Sequence, residues 1–396
     1  MEKLAQELVD EIIDNVHHAD LPACSLVASH WVDPSHRRVW GSGYCSFMSK
    51  QQLRPWLASL RLLKHSSVVN RVHTLTLAYT SVQGWALYFD STDVVFPNLK
   101  SLTVVDPQAR LDDYLPVLKR HFGNTLESLT LSRVFIDADE LYSIIGSFPS
   151  LNDLTIASVP DPHGVLPPHE NPPTGLRTQG KLSLVDDETQ AVCIPLLLRL
   201  PAVQFRTLYF SDTFQLDVEK INQLVSACSS TLATLEIRGD VFPPRLHSSR
   251  FLPTEQDGVP RIWHAPPALA LQHYPELQTI RFTLPNYETP RDSVVSILSS
   301  IASAPKLSEI SFNFIQMQLE GDLDKSGLAE WGLVDAQLCR LARQAATEMT
   351  VVFDFPTKPG WVPKRDASGM KSMSKFRPCG VMILRSCGEE KAVYRS

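Results

Sequence analysis

Few residues of this chain have the type and spacing that chemistry requires. His17 and His18 stand beside Asp20, but adjacent histidines on a helix point in two directions, whereas a shared metal needs i, i+4 spacing. They read as solvated surface. Cys379 and Cys387 are eight positions apart, and none of the seven cysteines forms a CxxC pair, so the spacing is not that of a zinc knuckle. His121, His247 and His264 have no sequence partner of the kind a catalytic constellation requires. The phosphate-cradling GxxxxGK loop, the GxSxG nucleophile turn, the HExxH zinc helix and the GxGxxG dinucleotide loop are all absent. No catalytic residue, metal ligand or cofactor is assigned, and the chain is expected to bind rather than to catalyse. The residues with most to offer a partner are of two kinds. Leu8, Ile12, Leu21, Val27 and Trp31 are apolar and lie close to the N-terminus, and Tyr209, Glu236 and Arg281 put an aromatic ring and two charges at equivalent places in a repeat.

The elements that must position these residues follow from size and pattern. At 396 residues the chain exceeds the roughly 250–300 at which a single core stops growing, so several domains or an elongated array is expected. The apolar share of 43% and charged share of 20% are those of a folded protein, and no run of 18 apolar residues exists to span a bilayer. The first residues are acidic where a secretory leader would be basic and then apolar. With an odd number of cysteines, this points to a reducing compartment, the cytosol or the nucleus, and to buried thiols. The net charge is −6, yet residues 358–396 hold nine Lys/Arg against three Asp/Glu, so that stretch carries +6 and the remainder −12. An acidic body disfavours nucleic acid as a partner, and the basic terminus reads as solvated and loosely ordered.

A six-residue frame, apolar-x-x-apolar-x-apolar, recurs at 72–77, 99–104, 126–131, 151–156, 205–210, 232–237, 277–282 and 307–312, with weaker copies at 179–184 and 348–353. The first six steps are 27, 27, 25, 28, 26 and 27 residues. Each frame alternates apolar and polar, the mark of a short strand with one buried face. Pro97, Pro149, Pro275 and Pro305 each stand two residues before a frame, where the missing donor and fixed φ stop the preceding helix. Between frames, 111–122, 139–148, 217–227 and 292–302 show helical spacing, with Asp137, Asp217 and Asp292 as candidate N-caps. The period breaks at 157–178, which holds six prolines, and at 240–276, which holds seven, and both read as projecting loops.

A strand and a helix every 25–28 residues resembles the leucine-rich repeats, whose units begin L-x-x-L-x-L. The resemblance covers about residues 70–355, with one departure: the Asn or Cys that usually follows each strand is missing, and Tyr79-Thr80, Arg133-Val134 or Gly239-Asp240 stand nearby. It implies an α/β fold, a curved right-handed solenoid with strands inside and helices outside.

Residues 1–47 follow another pattern. Leu8, Ile12, Ile13 and Val16 make an apolar helical face; a second segment runs from Asp20 to Trp31; a third opens with Asp33-Pro34 and ends in Arg37-Arg38-Val39-Trp40. About 45 residues cannot bury this many large side chains alone, so the segment either caps the repeats or keeps an apolar surface for a partner. The stretch Leu4-Ala5-Gln6-Glu7-Leu8, continuing through Ile12-Ile13, with Leu21, Cys24, Leu26, Val27, Trp31 and Val39-Trp40 behind it, resembles an F-box, although Ala5 replaces the usual proline. F-box followed by irregular leucine-rich repeats is similar to the F-box-like proteins numerous in mushroom-forming fungi. The expected organisation is an F-box-like module at 1–47, a linking helix at 48–70, repeats at 71–357 with loops at 157–178 and 240–276, and a basic tail at 358–396.

The resemblance implies a substrate-recognition subunit of an SCF-type cullin–RING ubiquitin ligase. The module would bind the Skp-family adaptor through Leu8, Ile12, Leu21, Val27 and Trp31, and the repeats would hold a protein substrate at Tyr209, Glu236 and Arg281. The other reading is a stand-alone repeat scaffold whose N-terminal helices only cap the first repeat.

Overall fold

The computed structural model describes residues 4–16, 20–24, 26–32, 34–35, 70, 72–78, 96–105, 115–134, 136, 138–159, 179–200, 202–211, 218–238, 271–284, 292–314, 325–355, 381–386 and 389–394. The linking helix expected at 48–70 (apart from Asn70), most of both proline-rich interruptions, and His17, His18, His247, His264, Cys379 and Cys387 fall outside them, as do Asp137 and Asp217. The chain divides into two compact units, Met1–Leu176 and Arg177–Ser396, and the division falls inside the proline-rich stretch 157–178.

All ten frames are strands. The first unit contains α1 (Gln6–Asn15), α2 (Leu21–Cys24), β1 (Thr74–Ala78), β2 (Ser101–Val105), α3 (Leu115–Phe122), β3 (Ser128–Ser132), α4 (Ala138–Ser147) and β4 (Asp153–Ala157). Strands β1 to β4 run parallel in chain order, with Leu75, Leu102, Leu129 and Leu154 opposite one another. That register puts the next pair of apolar positions, occupied by Leu77, Val104, Leu131 and Ile156, on the same buried side. A one-residue slip would turn every one of them to the other face, so the hydrophobic pattern pins the register. Leu118 and Phe122 of α3 and Leu141 and Ile144 of α4 complete this core.

A second device fixes the stacking. The carbonyl of the second residue in a frame accepts two N–H groups from the next repeat. His73 O takes Lys100 N and Ser101 N at 2.8 and 3.0 Å, Lys100 O takes Glu127 N and Ser128 N at 2.8 Å each, and Glu127 O takes Asn152 N and Asp153 N at 2.8 and 3.0 Å. The same arrangement returns in the second unit at Gly180, Arg206, Ala233 and Gln278.

That second unit contains β5 (Lys181–Val185), α5 (Asp187–Leu197), β6 (Thr207–Ser211), α6 (Val218–Ala227), β7 (Thr234–Arg238), β8 (Thr279–Leu284), α7 (Asp292–Ser300), β9 (Glu309–Phe314), α8 (Lys325–Gln344), β10 (Thr350–Phe355), β11 (Val381–Ser386) and β12 (Glu389–Tyr394). Strands β5 to β11 are parallel neighbours in chain order, and β12 returns antiparallel on β11 with an irregularity between Leu384 and Arg385. Its core changes character along the array. Phe282 stacks on Phe312 (5.5 Å between centroids) and Phe312 on Phe353 (5.2 Å), while Trp331 of α8 meets Phe312 edge-on at 5.6 Å.

The structure departs from the sequence expectations in four places. The terminus expected to be loosely ordered contains β11 and β12: its summed positive charge hides an apolar run, Val381-Met382-Ile383-Leu384, that extends the sheet. The interruption at 240–276 ends earlier than its prolines suggest, because Leu271 and Tyr274 are already buried and His273 pairs with Ser303 of the following repeat. Helices α5 and α8 have no counterpart among the four helical stretches read from the sequence; α5 is apolar on most sides and so has no amphipathic period. Asp292, expected as an N-cap, is the first residue of α7.

A buried side-chain amide bridges the ends of two neighbouring strands. Gln190 of α5 is fully buried, and its Nε2 donates to Leu184 O (3.2 Å) and Ser211 O (2.8 Å) at the ends of β5 and β6. Asp186 sets the helix that delivers it, capping α5 by accepting from Thr189 N at 2.9 Å, from a backbone with φ of 79° that glycine would adopt more readily.

Candidate functional site

Two surfaces collect the residues that the sequence singles out, one in each unit. The first is on α1. The sequence pattern groups Leu8, Ile12, Ile13 and Val16 on one face; in the folded chain the set divides. Consecutive helical positions are about 100° apart, so Leu8 and Ile12 share one stripe while Val9, Ile13 and Val16 share another. Val9 and Ile13 are 0% and 1% exposed, and Val16, Cys24 and Trp31 pack against them. Leu4, Leu8 and Ile12 are 47%, 48% and 40% exposed, and Leu26 and Val27, in the turn after α2, are 86% and 64% exposed. Of the expected adaptor-binding residues, then, Leu8, Ile12 and Val27 face outward, Trp31 belongs to the module's own small core, and Leu21 opens α2.

The helix that presents this stripe has an extended Ala5 at its N-cap with no side-chain cap, Glu7 in its first turn, and one side-chain bridge, Gln6 Nε2 to Asp10 Oδ1 at 2.9 Å. A ten-residue helix is marginal in isolation, so its order depends on the Val9–Ile13 seam.

The second surface lies on the sheet of the Arg177–Ser396 unit. Register places Ser183, Tyr209, Glu236, Arg281 and Ser311 in one row across β5 to β9. Glu236 is the hub. Arg281 Nη1 donates to its Oε1 at 2.9 Å, and Lys181 Nζ lies 3.7 Å from its Oε2. Lys181 also lies over the Tyr209 ring, 5.4 Å from the centroid, and Arg281 Nε approaches Glu309 Oε1 at 3.8 Å. Sequence reasoning named Tyr209, Glu236 and Arg281 but not Lys181 and Glu309, whose row is one alternation upstream and holds threonine on the strands between them. Arg281 is 45% exposed and Glu236 only 17%. The row is thus a cross-strand ion-pair network, with the arginine as its most accessible member. In the Met1–Leu176 unit the equivalent row is Thr76, Thr103, Thr130 and Thr155, a ladder of like side chains in register.

A polar depression of about 420 Å³ lies beside α6, lined by Asn222, Ser226, Ser229, Gln272, His273 and Tyr274. Burial pushes the Tyr274 hydroxyl's pKa up, against a hydrogen bond with Ser226. Two buried thiols are poor nucleophiles: burial pushes Cys193 up to about 12 and Cys228 up to about 11. Among the described residues there is no group of three or more His, Cys, Asp or Glu that could hold a metal ion, and no helix long and apolar enough to cross a membrane.

No known family profile matches the chain, and no curated protein matches it. Among solved structures, a chain of the crystal structure of the Rad7 and Elc1 complex in yeast is similar, at 13% identity and a TM-score of 0.31, over 97% of this chain and 92% of that one. At that TM-score the likeness carries no argument.

Proposed function

We propose that the chain is the substrate-recognition subunit of an SCF-type cullin–RING ubiquitin ligase, with the N-terminal module docking the Skp-family adaptor and the leucine-rich repeats holding a protein substrate. The observation that carries the docking half is the distribution of exposed apolar side chains. Among the described residues six large hydrophobics are exposed, and five of them, Leu4, Leu8, Ile12, Leu26 and Val27, fall within the first 27 residues. Concentrated exposure of this kind marks an interaction surface, whereas scattered single residues do not. It also weighs against the capping alternative, since a cap would cover Leu8 and Ile12 and here they are open. The resemblance of residues 4–40 to an F-box supplies the identity of the partner.

In this role the protein does no chemistry. It raises the effective concentration of substrate lysines beside a ubiquitin-conjugating enzyme, a gain that comes from linkage alone. Arg281, the most exposed member of the ion-pair network around Glu236, is the residue of that row most available to a substrate.

The test is co-purification with the adaptor. Wild type should bring it down and Ile12→Asp should not, because a charge in a central apolar contact costs about 2 kcal/mol or more. A correctly folded wild-type chain that fails to bind the adaptor would return the account to a repeat scaffold without ligase function.

A further inference from the structure

The stretch 4–35 of the N-terminal module carries formal charge of one sign, with Lys3, Arg37 and Arg38 standing in sequence on either side of it. Among its described residues from 4 to 35, Glu7, Asp10, Glu11, Asp14 and Asp20 are acidic, and none is lysine or arginine. The helix sorts these acids. Counting about 100° per residue from Leu8, Glu11 lies about 60° to one side, Glu7 about 100° and Asp14 about 120° on that same side. All three are exposed. Val9 and Ile13 lie on the other side and are buried in the module's core, and Asp10 turns away, held by Gln6 at 2.9 Å. Around α1 the order is therefore buried seam, open apolar stripe, acidic row.

Any surface that covers Leu8 and Ile12 meets the acidic row along its free flank. An apolar cover there would strip water from carboxylates without replacing their partners, which is costly. A cover with basic groups at that edge keeps them satisfied and steers the encounter. A second copy of this face would bring its own acids against them, and an anionic lipid surface would be repelled. We infer that the partner covers the stripe with an apolar cleft whose rim, beside Glu11, Glu7 and Asp14, is basic. This rests on the docking role proposed above and adds the partner's charge to it.

The experiment titrates purified Skp-family adaptor into the full chain as wild type, as Ile12→Asp and as the double variant Glu11→Lys/Asp14→Lys. Lysines at these positions lie toward the helix C-terminus, which favours cations, and circular dichroism checks that the fold is retained. Wild-type affinity should fall as salt rises from about 50 to about 500 mM, and the double variant should bind about tenfold more weakly at low salt and lose that dependence. If Ile12→Asp abolishes binding while the double variant binds like wild type, the basic rim is refuted and the docking role stands. If the folded wild type does not bind at all, the docking role falls and the rim falls with it.

Discussion

Arg340 gives the most quantitative test of how the second unit is held together. It sits on α8 and reaches the C-terminal end of α7, where Nη2 donates to Leu298 O at 2.7 Å and Nη1 to Ile301 O at 2.9 Å. Nε donates to Gln337 Oε1 at 2.8 Å, and Nη1 also contacts Gln344 Oε1 at 3.2 Å, which orient the fork from α8's own surface. Partial burial lowers its pKa, yet the group remains charged. The two carbonyls are among those a helix end leaves without intrahelical partners. Hydrogen bonds to a charged group are worth about 1.5–3 kcal/mol, and a cation at a helix C-terminus adds about 0.3–1 kcal/mol. Because the freed carbonyls regain some water, Arg340→Met should cost about 2–3 kcal/mol. For a unit of this size that is a fall of about 4–12 °C in Tm. Arg340→Lys should recover less than half, since one ammonium cannot span both carbonyls in a fixed fork. Thermal melting gives the total, and amide hydrogen exchange locates it: protection should drop in α7 and α8 and stay unchanged in β1 to β4. A loss under about 0.5 kcal/mol, below the range for one charged hydrogen bond, would refute the claim that Arg340 joins these helices.

Three other outcomes follow from the same geometry. Phe312→Ala removes the ring between Phe282 and Phe353 and beside Trp331, and should cost about 3–5 kcal/mol in urea unfolding. Gln190→Met removes the amide donor from Leu184 O and leaves Ser211 O with Asp186 N as its remaining loop donor; a loss of about 1–3 kcal/mol is expected, and a neutral result would mean that the strand ends do not need it. Cys193 and Cys228, with folded pKa values raised from 9.0 to about 12 and about 11, stay protonated in the folded chain while the unfolded chain ionises. Their contribution to stability is complete below pH 9 and is lost as pH climbs toward those values, so Cys193→Ala/Cys228→Ala should flatten the alkaline part of the stability profile.

The repeat was legible because strand alternation is a local signal. A frame such as Leu126-Glu-Ser-Leu-Thr-Leu131 states which side chains go inward before any neighbour is known, and a constant period then gives strand order. The failures share a cause. Helix α5 has no polar face, so nothing in its spacing distinguished helix from buried strand. Strand β11 was hidden by summing charge over a terminus in which four consecutive apolar residues carry the structure. On α1, apolar residues at 8, 9, 12, 13 and 16 declare a helix, but only packing decides that Val9 and Ile13 form the seam and that Leu8 and Ile12 stay open. The sheet-face residues Tyr209, Glu236 and Arg281 were identified as a group by their equivalent frame positions, yet Lys181, which covers the ring and reaches the hub, lies two residues before the equivalent position of its own frame and two strands from Glu236. Long side chains on neighbouring strands meet across rows, and that reach is invisible to a one-dimensional frame.

The proposed substrate surface should be separable by mutation from the proposed adaptor surface. Arg281→Glu would set a third carboxylate between Glu236 and Glu309. As the pairs are partly solvated, the stability cost should be only about 1 kcal/mol. Co-purified proteins should change in this variant and in Tyr209→Ala while adaptor binding is retained, and an unchanged set would move the substrate site away from this row.

Hydrogen exchange on the full chain, with and without purified Skp-family adaptor, tests the central claim most directly. The account expects new protection across Gln6–Asn15 and the turn holding Leu26 and Val27, with β1 to β12 unchanged. Protection confined to the sheet, or none anywhere at saturating adaptor, would contradict it.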